Sequence, residues 1–382
     1  MIIIARYTED NSGIKPIAPS AKNKLDYIIH SLLTIGEHVE LLSLCTVSLG
    51  REQIRKHSRK VSNGFEIQYL TCFPKRSLFE KVMHRIVDPI RVFFQLMTRV
   101  KKGDLILSYH NMSFQKILFF VKKIKKCKLI LEVEEIYGMV YQDRSTVNKE
   151  MHRFRKADAF IFPTRLLGER INTKNKPAVI AHGSYDVPKI VDWQRKDRLI
   201  HCVYAGTFNP KKGGAEIAVG AARFLSDKYH VHIIGFGSPE ETKAVLDQIE
   251  SVQKEAACRI TYDGLKTGKE YIDFLQNCDV GLSTQNPDAP FNATSFPSKI
   301  LSYMAAGLRV VTARIPVVET SAIGEHLYYY EQSDSEMIAK AIESIDYSEK
   351  YDSRLLIRKL DESFKTDLSK LIRAVSNKKN NV

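Results

Sequence analysis

Short apolar runs alternate with helix-spaced apolar stripes along this chain, and the alternation is played out twice. Ile2–Ala5 is an apolar run, and residues 7–13 that follow are loop-like. Ala21, Leu25, Ile28, Ile29, Leu32 and Leu33 then share one helix face, Gly36 stops that helix, and Val39–Leu44 supplies the next run. Strand, helix, strand in that order predicts parallel strands with helices on the faces of the sheet. Asp104–Ser108, Lys128–Val133, Ala159–Pro163 and Ala178–Ala181 read as further strands of the same series. Gly183–Arg198 has the character of a linker. A second series starts at His201-Cys202-Val203-Tyr204-Ala205-Gly206 and runs through strands Val231–Ile234, Arg259–Tyr262 and Val280–Ser283, helix Ser298–Ala306 and strand Arg309–Thr312. A length of 382 residues suits two domains, each with its own core. The expected division is 1–182 and 187–345, with a C-terminal helix at about 350–382 packing back on the first lobe. Ligands of doubly wound sheets sit at the carboxyl ends of the strands, which places a ligand in a cleft between the lobes.

Three segments fall at such strand ends. Gly206-Thr207-Phe208-Asn209-Pro210-Lys211-Lys212-Gly213-Gly214 sets two lysines and paired glycines before a helix, where amides and cations can converge on a phosphate. It lacks the G-x-x-x-x-G-K-[ST] pattern of a P-loop, and a tight turn with solvated lysines is its bland reading. Gly235 and Gly237 follow a strand directly and read first as a plain turn. The third segment, Phe291 to Val311, is the most specific. Pro297 is expected in the first helical turn and Gly307 at the helix end. Lys299 lies at the helix N-terminus, against the dipole. An anion shared between Lys299 and the first amides accounts for that cation better than capping does.

Phe296-Pro297-Ser298-Lys299-Ile300-Leu301, with Tyr303-Met304-Ala305-Ala306-Gly307-Leu308 and Val310-Val311, resembles the donor segment of family-4 retaining glycosyltransferases of the GT-B fold. Gly206 to Gly213 looks like that family's glycine–lysine phosphate loop, and Gly235 and Gly237 resemble its intervening turn. The resemblance is clear over about residues 200–320. It implies an α/β fold of two doubly wound, Rossmann-like lobes facing a cleft. It also implies transfer of a sugar from a nucleotide-sugar to a saccharide or polyprenyl-diphosphate-linked acceptor, as in synthesis of bacterial capsule, O-antigen or exopolysaccharide.

On that resemblance Lys211, Lys212 and Lys299 hold the diphosphate. Gly206, Thr207, Gly235, Gly237, Tyr262, Thr294, Ser295, Phe296, Pro297, Ser298 and Ser302 form the donor side, joined by Gly13 after the first strand. The chain departs from the family at Ser302 and Thr294, where glutamates are usual, and at Thr207, where an arginine is common. No D-x-D motif occurs, so no metal or other cofactor is expected, and lysines and amides stabilise the leaving group. The departures also motivate an alternative: a non-catalytic GT-B-like subunit that binds a partner enzyme or acceptor.

Charge divides as unevenly as the motifs. Residues 1–182 carry 32 Lys/Arg against 17 Asp/Glu, a net of +15; residues 183–382 carry 26 against 27, a net of −1. Such a basic half suits an anionic partner. Nucleic acid is not expected, because no recognition module or basic-aromatic interleaving is present. Phe79, Val82, Met83, Ile86, Val87, Ile90, Phe93, Phe94 and Met97 keep helical spacing and read chiefly as core. Their basic neighbours, and Lys116, Lys122, Lys123, Lys125 and Lys126 beside the next stripe, favour an anionic membrane surface. Six scattered cysteines suggest a reducing compartment. No apolar run approaches the roughly 20 residues of a span, and residues 1–6 are too short for a secretory signal. The expectation is a cytoplasmic protein, peripheral at the inner face of the membrane. Acceptor chemistry is expected from first-lobe loops: Glu134 and Glu135 as carboxylates near the acceptor hydroxyl, with His110, Asn111 and Tyr137 beside them. Their bland reading is loop capping or pairing with nearby lysines.

Overall fold

The computed structural model describes residues 1–8, 19–44, 58–70, 78–109, 114–140, 143–191, 197–210 and 214–376. They divide into two compact units, Met1–Ser184 with Glu362–Val382, and Tyr185–Asp361.

The first unit contains β1 (Ile2–Ala5), α1 (Pro19–Thr34), β2 (Glu40–Ser43), β3 (Ser58–Ser62), β4 (Phe65–Tyr69), α2 (Leu78–Arg99) and β5 (Leu105–Ser108). It continues with α3 (Gln115–Lys125), β6 (Lys128–Glu132), α4 (Tyr137–Val140), α5 (Arg144–Phe154), β7 (Ala159–Phe162), α6 (Arg165–Ile171) and β8 (Ala178–Ile180). The sheet order is β3-β4-β2-β1-β5-β6-β7-β8. Every pairing is parallel except the β3–β4 hairpin at one edge. Helices cover the sheet, so β1, β5 and β7 are buried at every residue, which is why they read as unbroken apolar runs. The hairpin was not anticipated. It turns at Asn63-Gly64, both with positive φ, and this dipeptide is the usual signal for such a turn.

Helix α2 departs from the expected core stripe. Val92 and Leu96 enter the core, whereas Ile86, Ile90 and Phe94, spaced by four, are 55%, 50% and 61% exposed. Pro89 lies inside α2 without ending it. The side chains of Phe79, Val82 and Met83 fall outside the described residues. On α3, Leu118 and Val121 are buried while Phe120 and Ile124 point outward.

The second unit contains β9 (Ile200–Thr207), α7 (Gly214–Ala221), β10 (Tyr229–Phe236), α8 (Pro239–Gln253), β11 (Arg259–Tyr262), α9 (Gly268–Gln276) and β12 (Val280–Ser283). It ends with α10 (Lys299–Ala306), β13 (Arg309–Ala313), α11 (Pro316–Glu319), β14 (Tyr328–Tyr330), α12 (Ser335–Glu343) and the start of α13 (Arg354–Ser376). The order β11-β10-β9-β12-β13-β14 is parallel throughout. Direction along the sheet reverses between β9 and β12, so the switch point lies outside their carboxyl ends. The edge strand β14 was not anticipated.

Pro297 does not begin α10. Ser298 is the N-cap, Lys299 the first helical residue, and Ile300 N–H donates to Pro297 O at 3.0 Å. Proline holds the residue before it extended; the chain therefore turns through a tight i→i+3 bond before regular helix sets in. At the other end Gly307 adopts φ 96°. Ser353 Oγ donates to Met304 O and Leu308 O at 2.8 and 3.0 Å, and the Arg354 guanidinium donates to Ala306 O. A cation there complements the dipole.

Candidate functional site

The carboxyl end of β9 carries the site of the second unit. Tyr204 is buried there, and its hydroxyl donates to Thr207 O at 3.0 Å. Burial raises the Tyr204 pKa, so the hydroxyl stays protonated. Lys299 Nζ, from α10, lies over the Tyr204 ring at 4.2 Å from its centre, a cation–π contact. A Cβ built on Gly206 would come within 2.9 Å of Lys299 Nζ and 3.0 Å of the Tyr204 hydroxyl. Glycine is therefore what lets both groups close over the strand end. Gly235, on the neighbouring strand with φ 145°, would drive any Cβ into the Gly206 carbonyl. Two close backbones thus sit beneath one ammonium group.

The flanking elements hold this arrangement rigid. Tyr303, fully buried on α10, accepts Ala205 N–H at 2.8 Å and so ties the helix to β9. Thr284, after β12, donates to Gly214 O at 2.6 Å and ties β12 to the first turn of α7. No side chain caps α10, so its first amides remain a positive helix end beside Lys299. An anion is the ligand this chemistry suits.

Ser302 is exposed on α10, and its side chain hydrogen-bonds Tyr271 of α9, whose hydroxyl burial pushes up to about 12. Asn292 donates to Asn286 O and Pro287 O at 2.8 and 3.0 Å and accepts from Gln285 Nε2 at 3.0 Å. Those bonds shape the loop in which Thr294 and Phe296 are buried and Ser295 and Pro297 half-buried; Ser298 is exposed. Tyr262 donates to Gly235 O at 3.2 Å and packs edge-on against Phe208. Gly237 precedes Ser238, the N-cap of α8, whose box with Glu241 gives this glycine a structural role. Thr207 closes β9. Lys211, Lys212, Gly13, His110 and Asn111 lie outside the described residues.

In the first unit the ends of β5 and β6 gather an acidic pair around one lysine. Lys24, buried on α1, meets Glu132 Oε1 at 2.8 Å and Glu134 Oε1 at 3.0 Å. Tyr109 donates to Glu134 Oε1 at 2.6 Å. Glu132 is wholly buried, and burial, reinforced by the facing Glu134, raises its pKa. Burial pushes Glu134 the same way, but Lys24 and Tyr109 outweigh it and lower its pKa. Burial likewise opposes the charge on Lys24, and the two carboxylates reverse this. The expected pairing of Glu134 with a lysine is thus present, and the pair's buried member, Glu132, stands outside the expected set. Tyr137 and Gly138 begin α4 and donate their N–H groups to buried Glu150 at 3.1 and 2.7 Å. Glu135 is half-buried nearby.

Lys24, His182 and Tyr271 lie outside the residues that the sequence pattern points to. His182 is buried, with Nδ1 2.6 Å from Pro163 O, and burial lowers its pKa to about 4. It is a neutral imidazole whose Nδ1–H donates to that carbonyl. No local motif marks these residues; their partners lie far off in the chain.

A family profile described as Glycosyl transferases group 1 matches residues 200–345. No curated protein matches the chain by sequence. Among solved structures, an Escherichia coli protein described as trehalose-6-phosphate bound with UDP-2-fluoro glucose superposes with a TM-score of 0.68 at 10% identity, covering 99% of both chains. An α,α-trehalose-phosphate synthase (UDP-forming) from Burkholderia xenovorans, in complex with glucose-6-phosphate, gives 0.68 at 12% identity, covering 98% of this chain and 99% of that one. Anabaena Alr3699/HepE with UDP and glucose gives 0.66 at 13% identity, covering 97% and 98%. At such identities the likeness is one of fold, and that fold is GT-B.

Proposed function

We propose that this protein is a glycosyltransferase that moves a sugar from a nucleotide-sugar donor to a saccharide or lipid-linked saccharide acceptor, retaining the anomeric configuration. The observation that carries the reading is the ammonium of Lys299, held over Tyr204 and Gly206 at the switch point of the second unit. As the bond from the sugar's anomeric carbon to the diphosphate breaks, negative charge grows on the departing phosphate. A fixed cation beside uncapped helix amides stabilises that charge without reorganising. Lys211 and Lys212 supply further cations on the sequence reading. The profile match over residues 200–345 supports the same assignment, as do structural neighbours with UDP, UDP-2-fluoro glucose or glucose-6-phosphate bound. No metal is assigned to the reacting phosphates.

Glu134 is better suited to hold an acceptor hydroxyl than to remove its proton. Its lowered pKa makes it a weak base, while Tyr109 and Lys24 fix one of its oxygens. A lipid-linked acceptor is supported by the outward apolar side chains of α2 and α3. Pro89, Ile90, Phe93, Ile117, Phe120 and Lys116 line a groove of about 430 Å³ there. Exposed Lys116 and Lys123 lie on α3 beside the outward Phe120 and Ile124. Apolar groups flanked by cations suit the interface of an anionic leaflet, in keeping with assembly of a cell-surface polysaccharide at the inner membrane face.

The test is a panel of nucleotide-sugars, read by release of nucleoside diphosphate with and without saccharide and lipid-linked acceptors, once in chelator and once with added Mg²⁺ or Mn²⁺. One donor should be turned over in chelator, and its nucleotide should raise the melting temperature. No turnover and no thermal shift with any nucleotide-sugar would remove the proposal; a need for added Mg²⁺ or Mn²⁺ would remove its metal independence.

A further inference from the structure

At the amino-terminal end of the second sheet, opposite the carboxyl end where Lys299 lies over Tyr204, three imidazoles share one face. Strand register makes them neighbours: His201 on β9 pairs with His230 on β10, and His232 lies two residues on, beside Thr261 of β11. His230 and His232 are buried, and the His201 side chain is 12% exposed. One nitrogen from each ring lies within 4.8 Å of those from the other two.

The hydrogen-bond partners assign the protons. Asp197 Oδ1 faces His201 Nε2 at 3.0 Å, and Asp263 Oδ2 faces His232 Nδ1 at 3.0 Å. Carboxylates accept, so both of those nitrogens carry hydrogen. Thr261 gives its one hydroxyl proton to Asp263 at 2.9 Å. Its oxygen, 3.0 Å from His230 Nε2, therefore accepts from that ring. Each imidazole is left with a bare nitrogen: Nδ1 of His201, Nε2 of His232 and Nδ1 of His230. The first two stand 2.8 Å apart. Two lone pairs at that distance repel unless a positive charge sits between them.

We propose that His201, His230 and His232 together bind one divalent transition-metal ion of the zinc class. Neutral imidazole is a preferred ligand for such ions, and three protein ligands with an open fourth position form a familiar set. Outer N–H groups that donate to carboxylates or hydroxyls are what orient metal-binding histidines; Asp197, Asp263 and Thr261 do this here. Tetrahedral ligation with bonds of about 2.1 Å spaces ligand nitrogens about 3.4 Å apart. The His201–His232 pair, 2.8 Å apart, therefore opens by roughly half an ångström on binding, and His230, whose nitrogen lies within 4.8 Å of both, adjusts to the same spacing. His201 and Gly206 are five residues apart on one strand, about 17 Å at ~3.3 Å per residue. The ion is thus structural, pinning β9 to β10, and takes no part in sugar transfer.

The test uses the full-length protein, stripped with chelator and titrated with Zn²⁺ or Co²⁺. A single equivalent should bind, Co²⁺ should give visible d–d bands of a nitrogen-rich tetrahedral site, and saturating metal should raise the melting temperature by about 5–10 °C. The His201→Ala/His232→Ala double variant should lose the equivalent. Asp197→Ala, which leaves all three rings in place, should bind about 10–100-fold more weakly. If the double variant does not fold, the Co²⁺ spectrum of the unaltered protein and the Asp197→Ala affinity decide the matter. An unaltered protein that takes up no metal overturns the site and leaves a shared proton in the 2.8 Å gap. Undiminished affinity in Asp197→Ala also overturns it. None of these measurements depends on sugar transfer, so they stand or fall apart from the transferase reading.

Discussion

Lys299 Nζ rests 4.2 Å from the centre of the Tyr204 ring, and that contact fixes where the charge points. A lysine on a flexible stem would otherwise spend much of its time in solvent. Lys299→Ala should lower turnover at least a hundredfold, in line with about 2.7–4 kcal/mol for a preorganised transition-state donor. Tyr204→Leu should lower it about 2- to 30-fold, since a cation–π contact is worth about 0.5–2 kcal/mol. Steady-state kinetics on both, with melting temperatures close to the parent's, checks the assignment. Parent-like turnover in Lys299→Ala and in a Lys211→Ala/Lys212→Ala double variant removes the diphosphate site.

Gly206→Ala tests the space beneath that ammonium. The new Cβ would stand 2.9 Å from Lys299 Nζ, a flexible end that can swing away, so the fold should survive. The ammonium is displaced from its position, and kcat should drop about tenfold or more. An active-site change with full kcat would show that the lysine's position is not critical.

Ser302 and Tyr271 mark the expected ribose side. Ser302→Glu offers two acceptor oxygens where serine offers one hydroxyl, and nucleoside diphosphate affinity should rise about tenfold, worth about 1.4 kcal/mol. Tyr271→Phe removes the hydroxyl that now engages Ser302 and should change that affinity without affecting the melting temperature by more than a few degrees. Calorimetric titration of both variants reads the outcome. Unchanged affinity in each places the ribose elsewhere.

The acidic pair predicts a pH dependence with a definite sign. Glu132 has its folded pKa raised, so its proton stabilises the fold below the unfolded value of about 4.3 and that contribution is lost as pH rises through the folded value. Glu134 is lowered, so its contribution is present above the unfolded value and is lost only in stronger acid. Glu132→Gln should flatten the decline in melting temperature on the alkaline side. Lys24→Met strands buried Glu132 beside half-buried Glu134, should cost about 3–5 kcal/mol and should make that decline steeper. Thermal melts across pH decide it; a Lys24→Met profile parallel to the parent's would mean the lysine is not what holds the pair.

Membrane docking is testable on side chains now known to face outward. Lys116→Glu, Lys123→Glu and Lys126→Glu together should release the protein from anionic vesicles at low salt, and Phe94→Ser with Phe120→Ser should weaken binding at any salt. Salt alone should weaken the charged component as the Debye length falls from about 10 Å at 0.1 M to about 3 Å at 1 M. Lys122 is the wrong residue to reverse, because it pairs with Asp158 at 2.7 Å and donates to Lys156 O. Vesicle co-sedimentation reads all three. Retention by the charge-reversed protein would make the basic half a solvated surface only.

Strands buried on both faces were legible as apolar runs: Val280–Ser283, buried at every residue, occurs at the residues expected from the pattern alone, and the edge strand Arg259–Tyr262, with Arg259 exposed, also occurs at its expected residues. Periodicity is a local property, and burial by covering helices writes it directly into consecutive residues. The Phe296–Val311 segment was legible for the same reason, since a turn, a helix, a C-cap and a strand follow one another without a break. The β3–β4 hairpin was equally local, but its Asn63-Gly64 signal was overshadowed by the surrounding charge.

What the sequence by itself determined, then, was two parallel α/β layers, the cation at the start of α10 and the excess charge of the first half. Tertiary structure decided which partners those residues meet. Lys24 of α1 meets Glu132 of β6, 108 residues on, only in the folded chain, and His201 meets His230 and His232 only through the register of β9 on β10. Phe94 turns outward while Val92 turns inward because α2 has more apolar residues than one core face can take. Side-chain chemistry is carried by the chain in order, but pairing energy depends on distance in space, and that distance is set by folding.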